Sequence, residues 1–335
     1  MSEEVFLSTD IVEKSLRTDM CRELSRPFFE VMPQDNGPRQ LELSLRSHLI
    51  GQTLIISTNH SQQRISRDRC HIILGLDQYF VFLMLGGVVD NDFEGGAVSI
   101  NSGDICFADL SRSFRGEVGQ GSALSLMLPR AALDKATGGR DLHGFVLKKG
   151  EPITQFLTDF MVSFANLPDI ADGTEAQAIE EAAIALIGAC ISRRAPPQDP
   201  ALNNVLRHRL LSFVEENLAA PDLGPALLMQ RFHVSRAHLY RMFEAEGGVA
   251  TVIREKRLDA AFRALISPSG RSSSIAQVAY TFGFSSTPQF HRAFQARFSM
   301  TPRQARNEAS LASSSVLPPA MNWYEYCARL TRKSY

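Results

Sequence analysis

The sequence predicts a two-domain chain: a mostly-β N-terminal barrel with following helices, then an all-α C-terminal domain of two tandem helix-turn-helix units. Three observations lead there. Short apolar segments with strand character crowd residues 40 to 130. Two stretches, about 223–246 and 274–298, repeat one plan of helix, tight turn and helix. The net charge of −1 hides an uneven partition: −9 over residues 1–200, +6 over 201–309 and +2 over the remainder. With 335 residues, 44% of them hydrophobic, the chain is long enough for about two domains with cores of their own.

The first domain is expected over residues 1–145. "HIILGLDQYFVFLMLGG" and "SALSLMLPR" are rich in β-branched, aromatic and leucine residues and read as strands. "AVSI" and "ICFADL" read as shorter strands, and "DNDFEGG" and "NSGD" as the turns between them. Short strands at this spacing suggest a small barrel or a jelly roll. Residues 146–193 then change period. "ITQFLTDFMVSFANL" places Ile153, Phe156, Leu157, Phe160, Met161, Phe164 and Leu167 on one helix face, and "EAQAIEEAAIALIGACIS" does the same with Ile179, Ala183, Leu186, Ile187 and Cys190. Such a stripe packs either on its own barrel or on a second subunit. Residues 194–201, with Pro196, Pro197 and Pro200, read as a linker.

The second domain is expected over residues 202–309. In "IAQVAYTFGFSSTPQFHRAFQARFSMTP", Ile275, Val278, Ala279 and Phe282 share one helix face, Gly283 breaks the helix, and Phe290, Phe294 and Phe298 recur at every fourth position of a second helix. Thr287 is the expected cap of that helix, with Pro288 at its first position. Pro288, Arg292 and Gln295 fall on the face opposite the aromatic stripe, flanked by Thr287, Gln289 and His291. One such unit is as readily ordinary helix packing as a DNA-reading device. "GPALLMQRFHVSRAHLYRMFEAEGG" supplies a second copy: Gly224 and Pro225 start a helix, "HVS" is the turn, and Ser235 caps the next helix. There Leu239, Met242 and Phe243 face inward, Ala237, Tyr240 and Arg241 face outward, and Arg236 and His238 lie at the edge. The intervening "VATVIREKRLDAAFRALIS" has neither Gly nor Pro and reads as one connecting helix of roughly 25 Å. Successive major grooves on one side of B-form DNA lie about 34 Å apart, so such a rod can hold two reading helices near that separation with some DNA bending.

"VSRAHLYRMF", "REKRLDAAFRAL", "IAQVAYTFGF", "QFHRAF" and "RFSMTPRQAR" resemble the paired helix-turn-helix domain of the AraC/XylS bacterial transcription regulators, from about Leu202 to Arg306. "SINSGDICFADLSRSFRGEV…LSLMLPRAAL" resembles the cupin-like, AraC-binding-like effector domain of one branch of that family, over roughly residues 30 to 140. Carried over position by position, the resemblance implies base-facing roles for Ala237, Tyr240 and Arg241 in the first unit and for Thr287, Pro288, Gln289 and Arg292 in the second. Two departures stand out: His233 replaces a turn glycine, and "GGVAT" is about two residues short and lacks the customary proline. Because Ala237 and Pro288 offer no side-chain donor, specificity leans on the arginines, Gln289, Thr287 and DNA shape. The resemblance further implies RNA polymerase as a partner, a small-molecule effector in the barrel, dimerisation through the helices at 146–193 and a place on the bacterial nucleoid. It implies a regulator, read here as an activator.

Composition supports several exclusions. No apolar run approaches the roughly 20 residues of a membrane span, and "MSEEVFLSTD" is no signal peptide, so a cytoplasmic protein is expected. Cys21, Cys70, Cys106, Cys190 and Cys327 are odd in number and scattered, against both a disulfide framework and a zinc site. A metal-dependent cupin enzyme needs several converging imidazoles and a carboxylate, usually with two histidines one residue apart in a strand; His48, His60 and His71 stand alone. No phosphate loop, nucleophile elbow or redox cysteine pair is found. No catalytic residue, cofactor or metal is therefore assigned. Arg64, Arg67 and His71 are candidates for the lining of a ligand cavity, but each reads first as a surface or structural residue, and none is assigned to an effector. Two alternatives remain: a cupin-type enzyme fused to a nucleic-acid-binding module, and a DNA-binding protein that needs no ligand. The Ser-rich start and aromatic end of residues 310–335 carry no readable role.

Overall fold

The computed structural model describes residues 4–74, 76, 78–94, 96–167, 173–192, 201–244, 246–266, 273–298 and 300–312. Within the described residues the chain separates into two compact units, one built from residues up to 192 and the other from residues 201–312. The proline stretch 193–200 and the segment 313–335 lie outside the described residues.

The N-terminal unit runs in the order β1 (Val5–Ser8), α1 (Arg17–Ser25), β2 (Glu30–Met32), β3 (Leu43–Ile50), β4 (Thr53–His60), β5 (Gln63–Arg67), α2 (Arg69–Leu74), β6 (Gln78–Gly86), β7 (Val88–Phe93), β8 (Gly96–Asn101), β9 (Ile105–Asp109), β10 (Phe114–Val118), β11 (Gly121–Pro129), α3 (Arg130–Thr137), β12 (Phe145–Leu147), α4 (Pro152–Ala165) and α5 (Gly173–Ser192). The strands form two sheets, β1-β3-β4-β11-β6-β9-β12 and β2-β5-β10-β7-β8. Period-two alternation sorts β6 between two faces. Phe80, Phe82 and Met84 turn into the space between the sheets, while Tyr79, Val81 and Leu83 join the core beneath α4 and α5.

That second core absorbs the helical stripe. Leu157, Met161 and Phe164 of α4 and Ala183, Ile184, Ile187, Cys190 and Ile191 of α5 pack on Leu124, Leu126 and Leu128 of β11 and on β6. Each fully buried aliphatic side chain contributes about 1.5–3 kcal/mol, so the helices belong to the barrel's own core before they serve any partner. Phe156 departs from the expected stripe and is 52% exposed. Glu180 pins α5 to the β3–β4 turn: its Oε1 accepts the Thr53 hydroxyl at 2.7 Å and its Oε2 the Gln52 N–H at 3.0 Å. Burial pushes that carboxyl above its usual range, partly opposed by those donors.

Three local expectations need correction. His71–Leu74 are helical because the Asp68 carboxylate accepts the His71 backbone N–H at 3.1 Å and so caps α2; the strand starts only at Gln78. Asp90–Phe93, expected in a turn, extend β7, because Val89, Asn91 and Phe93 alternate into the interior. Strand structure also reaches beyond residues 40–130, to β1, β2 and β12, each at most four residues long and too short for periodicity to reveal.

The C-terminal unit comprises α6 (Ala201–Glu216), α7 (Pro225–Phe232), α8 (Arg236–Met242), α9 (Val249–Ile266), α10 (Ile275–Thr281), α11 (Thr287–Phe298) and α12 (Pro302–Ala312). Leu210 and Val214 of α6, Leu228 of α7, Leu239 and Phe243 around α8, and Val252 and Ile253 of α9 form one core. Phe262 of α9 packs on Phe294 and Phe298 with ring centroids 5.8 and 4.9 Å apart, and Phe290 meets Phe284 at 5.1 Å. The stripe at every fourth position is thus buried against α9 and the turn.

Candidate nucleic-acid interface

Each helix pair is set by its caps. Gly224 is the N-cap of α7 with Pro225 first. His233 ends α7 in the left-handed region, φ 52° and ψ 40°, a conformation His adopts more readily than most residues. Ser235 Oγ accepts the His238 N–H at 3.2 Å and starts α8. In the second unit Ser274 and Gln277 form a capping box, and Gly283, φ 75°, makes the turn. The cap of α11 is Ser286, whose Oγ accepts the Gln289 N–H at 3.4 Å; Thr287, the expected cap, is the first helical residue, and Pro288 follows it. The physical reason is local: the helix already includes Thr287, so the serine one position earlier is the residue whose hydroxyl meets a free N–H of the first turn.

These starts fix which residues face out. On α8, Arg236, Ala237, Tyr240 and Arg241 are exposed and His238 is half-buried. The Arg236 guanidinium lies over the Tyr240 ring at 5.3 Å, pairing the two on one surface. On α11, Pro288, Gln289, Arg292 and Gln295 are exposed, and Thr287 and His291 are half-buried. Gln289 Oε1 accepts the Ser285 hydroxyl at 2.7 Å, which orients the amide. The His291 ring stands edge-on to Phe290 at 6.2 Å. Eleven candidate residues therefore lie on two helix faces, and α9, 18 residues and about 27 Å long, joins the units.

The positioning residues were not evident from the sequence. Arg297, on α11, points back rather than out: its Nε donates to Asp259 Oδ1 at 2.5 Å, its Nη2 to Asp259 Oδ2 at 2.7 Å, and its Nη1 lies 2.9 Å from Glu255. Burial opposes its charge, but the two carboxylates hold its pKa above the usual value. Arg257 donates to the carbonyls of Leu218 at 3.1 Å and Ala220 at 2.8 Å. Arg257, Arg292 and Arg297 look alike on the chain, yet only Arg292 of the three is exposed.

In the N-terminal unit, Arg64 lies at the surface, paired with Glu117 at 2.8 Å and Asp35 at 3.0 Å. Arg67 is buried and structural, donating to the carbonyls of Leu110 and Phe28, with burial pushing its pKa down to about 10. His71 contacts Asp68 at 2.8 Å. Cys21, Cys106 and Cys190 are buried free thiols; the Cys70 side chain and Cys327 lie outside the described residues. A cavity between the two sheets is lined instead by side chains from α1 and from strands of both sheets, among them His60, weighed in the sequence only as a metal ligand, and Asn91, which the sequence reading did not name. No grouping of His, Cys, Asp and Glu suited to a metal occurs among the described residues. Nor, among them, is any helix long and apolar enough to cross a membrane.

Residues 228–308 match the sequence model of a helix-turn-helix domain. The AraC-like transcriptional activator CuxR has a similar solved structure, with a TM-score of 0.53 at 19% identity, covering 77% of this chain and 95% of that one. ToxT from Vibrio cholerae O395 gives 0.44 at 12% identity over 75% of this chain and 96% of that one. An RmlC-like cupin from Shewanella frigidimarina gives 0.21 at 12% identity, over 30% of this chain and 84% of that one. The N-terminal unit is therefore built on two antiparallel sheets, the C-terminal unit carries a helix-turn-helix domain, and the fold is similar to that of CuxR.

Proposed function

We propose that this chain is a sequence-specific DNA-binding transcriptional activator controlled by a small molecule held in its N-terminal unit. The observation that supports the reading most directly is the pair of exposed faces on α8 and α11, each with an arginine among polar neighbours, joined by one continuous helix. Arg241 and Arg292 supply the forked donors that recognise guanine, while Tyr240, Gln289 and Thr287 supply further polar and apolar contacts. The balance of +6 over residues 201–309 favours phosphate contact, and the −9 over residues 1–200 keeps the barrel off the DNA.

The further assignments follow the same reading. Residues 1–145 sense the effector, residues 146–193 serve a homodimer, 194–201 link the units and 202–309 read DNA. A homodimer presents two such readers, and the effector shifts the population of arrangements that engage RNA polymerase. Such a protein works in the cytoplasm, on the nucleoid. Since the apolar stripe of α4 and α5 is buried in the barrel core, a dimer through these helices would rest on what stays exposed, Phe156 and Val162 among them.

The test is selection of bound duplexes from a random pool by the full chain at roughly physiological salt, where phosphate binding alone is weak. The expected product is a motif of two boxes about one helical turn apart. Selection without enrichment, both with the full chain and with residues 201–312 alone, would overturn the reading.

A further inference from the structure

The cavity between the two sheets has a volume of about 100 Å³. Its wall is mostly apolar, aliphatic side chains together with five aromatic rings, Phe28, Phe29, Phe80, Phe82 and Phe114. Phe29 stands edge-on to Phe114 with centroids 6.2 Å apart, and Phe28 lies stacked with Phe80 at 6.0 Å. Among the described residues, no Lys, Arg, Asp or Glu side chain lines this space. An engineered apolar cavity of about 150 Å³ takes up benzene, so this one suits a compact molecule of about one ring, provided a side chain gives slightly.

Two polar atoms in that wall are buried and have no partner: Asn91 Oδ1 and His60 Nδ1. Asn91 is only 4% exposed. The alternation of β7 turns it inward with Val89 and Phe93. It also needs the bare backbone of Gly116 beside it, since a Cβ there would sit 1.8 Å from Asn91 Oδ1. His60 ends β4, following Ile56 and Thr58 along the same face of the strand. Burial pushes its imidazole toward the neutral form. Buried polar groups are nearly always paired, and orphans of this kind mark where a donor is expected.

We propose that the cavity binds a compact, uncharged, mainly aromatic molecule bearing one hydroxyl group, of the phenol class, with the hydroxyl donating to Asn91 Oδ1 and the ring seated among the phenylalanines. The inference rests on reading the N-terminal unit as the effector-binding one. An amide oxygen only accepts hydrogen bonds, so it selects a donor. His60 Nδ1, a donor or an acceptor according to tautomer, is a second partner that a hydroxyl satisfies either way. An anionic ligand would be buried with no cation beside it, and a plain hydrocarbon would leave Asn91 Oδ1 orphaned.

The experiment is calorimetric titration of the full chain with three probes that share one ring: p-cresol, toluene and benzoate. The expected order is p-cresol at least roughly tenfold tighter than toluene, with benzoate weakest. In Asn91→Leu the advantage of p-cresol over toluene should disappear while toluene still binds. Equal affinities for p-cresol and toluene in the unaltered chain, tightest binding by benzoate, or no binding by any probe would each overturn the proposal whether or not the variant folds. DNA affinity measured alongside separates the two readings. Binding of p-cresol without any change in DNA affinity would remove its role as effector and leave the ligand class standing. A DNA response to benzoate but not to p-cresol would keep effector control and overturn the ligand class.

Discussion

Arg257 and Gly283 are in close apposition: a Cβ on Gly283 would lie 2.7 Å from the Nη1 of Arg257. The same guanidinium caps the carbonyls of Leu218 and Ala220, which end the approach to the first unit. One side chain of the connecting helix therefore touches the segment before α7 and the turn between α10 and α11. Gly283 is required twice, by its φ of 75° and by this approach.

Gly283→Ala is expected to destabilise the C-terminal unit by about 1–3 kcal/mol, from left-handed backbone strain and displacement of Arg257. Thermal unfolding reads the loss. Binding to a two-box duplex should fall further than binding to either box alone, since the turn also sets the direction of α11.

Arg297 and Arg292 lie five residues apart on α11 and should respond differently to truncation. Arg297 is held by Asp259 and Glu255, with its side chain 10% exposed. Asp259→Asn is expected to cost about 1–3 kcal/mol in stability, because it leaves a largely buried guanidinium short of a partner. It should weaken binding to every duplex alike. Urea unfolding and a specific-to-random affinity ratio check the two halves of this prediction.

Arg241→Ala and Arg292→Ala are expected to leave stability nearly unchanged and to cost about 1–3 kcal/mol at the selected site where each grips a guanine. The ratio of specific to random binding reports the mechanism. An equal loss on all sequences, with a shallower dependence on salt, would assign the arginine to phosphate instead.

How far these distinctions could be read beforehand depended on the range of the interactions involved. The pattern of Phe290, Phe294 and Phe298 is local, repeats with the helix period and reads directly off the chain, as do the turns at His233 and Gly283. The outward positions of Arg236, Tyr240, Arg241, Gln289 and Arg292 follow from the same period. The inward turn of Arg297 does not, since it depends on two acids some forty residues earlier in the chain. In the barrel, β6 and β11 were legible because both faces of each are buried and the apolar runs are long. The helix at Arg69–Leu74 was hidden because four apolar residues next to a strand carry no period, and the deciding cap at Asp68 looks like any surface acid. Asn91 was invisible as a cavity residue, because its inward face emerges only once β7 pairs with β10.

The acid limb of stability should come from Asp109. This carboxylate is 6% exposed, accepts from Arg130 through both oxygens and from the Ser111 N–H and hydroxyl at 2.7 Å each. Burial pushes its pKa up, but the bonds and charge of Arg130 and the Ser111 donors outweigh it, and the net value lies below the usual carboxylate range. A carboxyl whose folded pKa lies below its unfolded value of about 3.9 stabilises the fold at every pH above that value. That contribution is lost as pH falls through the folded value, where the native state must take up a proton. Glu180 runs the other way, with burial raising its folded pKa, so its share of stability declines as pH rises past the unfolded carboxyl value. The N-terminal unit should therefore lose stability steeply below about pH 4. Asp109→Asn should lower stability at pH 7 by about 3 kcal/mol by removing the carboxylate that faces the Arg130 guanidinium, and should flatten the acid limb. Glu180→Gln keeps one acceptor oxygen for Thr53 and loses the cost of burying charge, so it should leave the acid limb steep. Thermal midpoints of the three proteins between about pH 3 and pH 8 decide the matter, and an acid limb unchanged in Asp109→Asn would move its origin elsewhere.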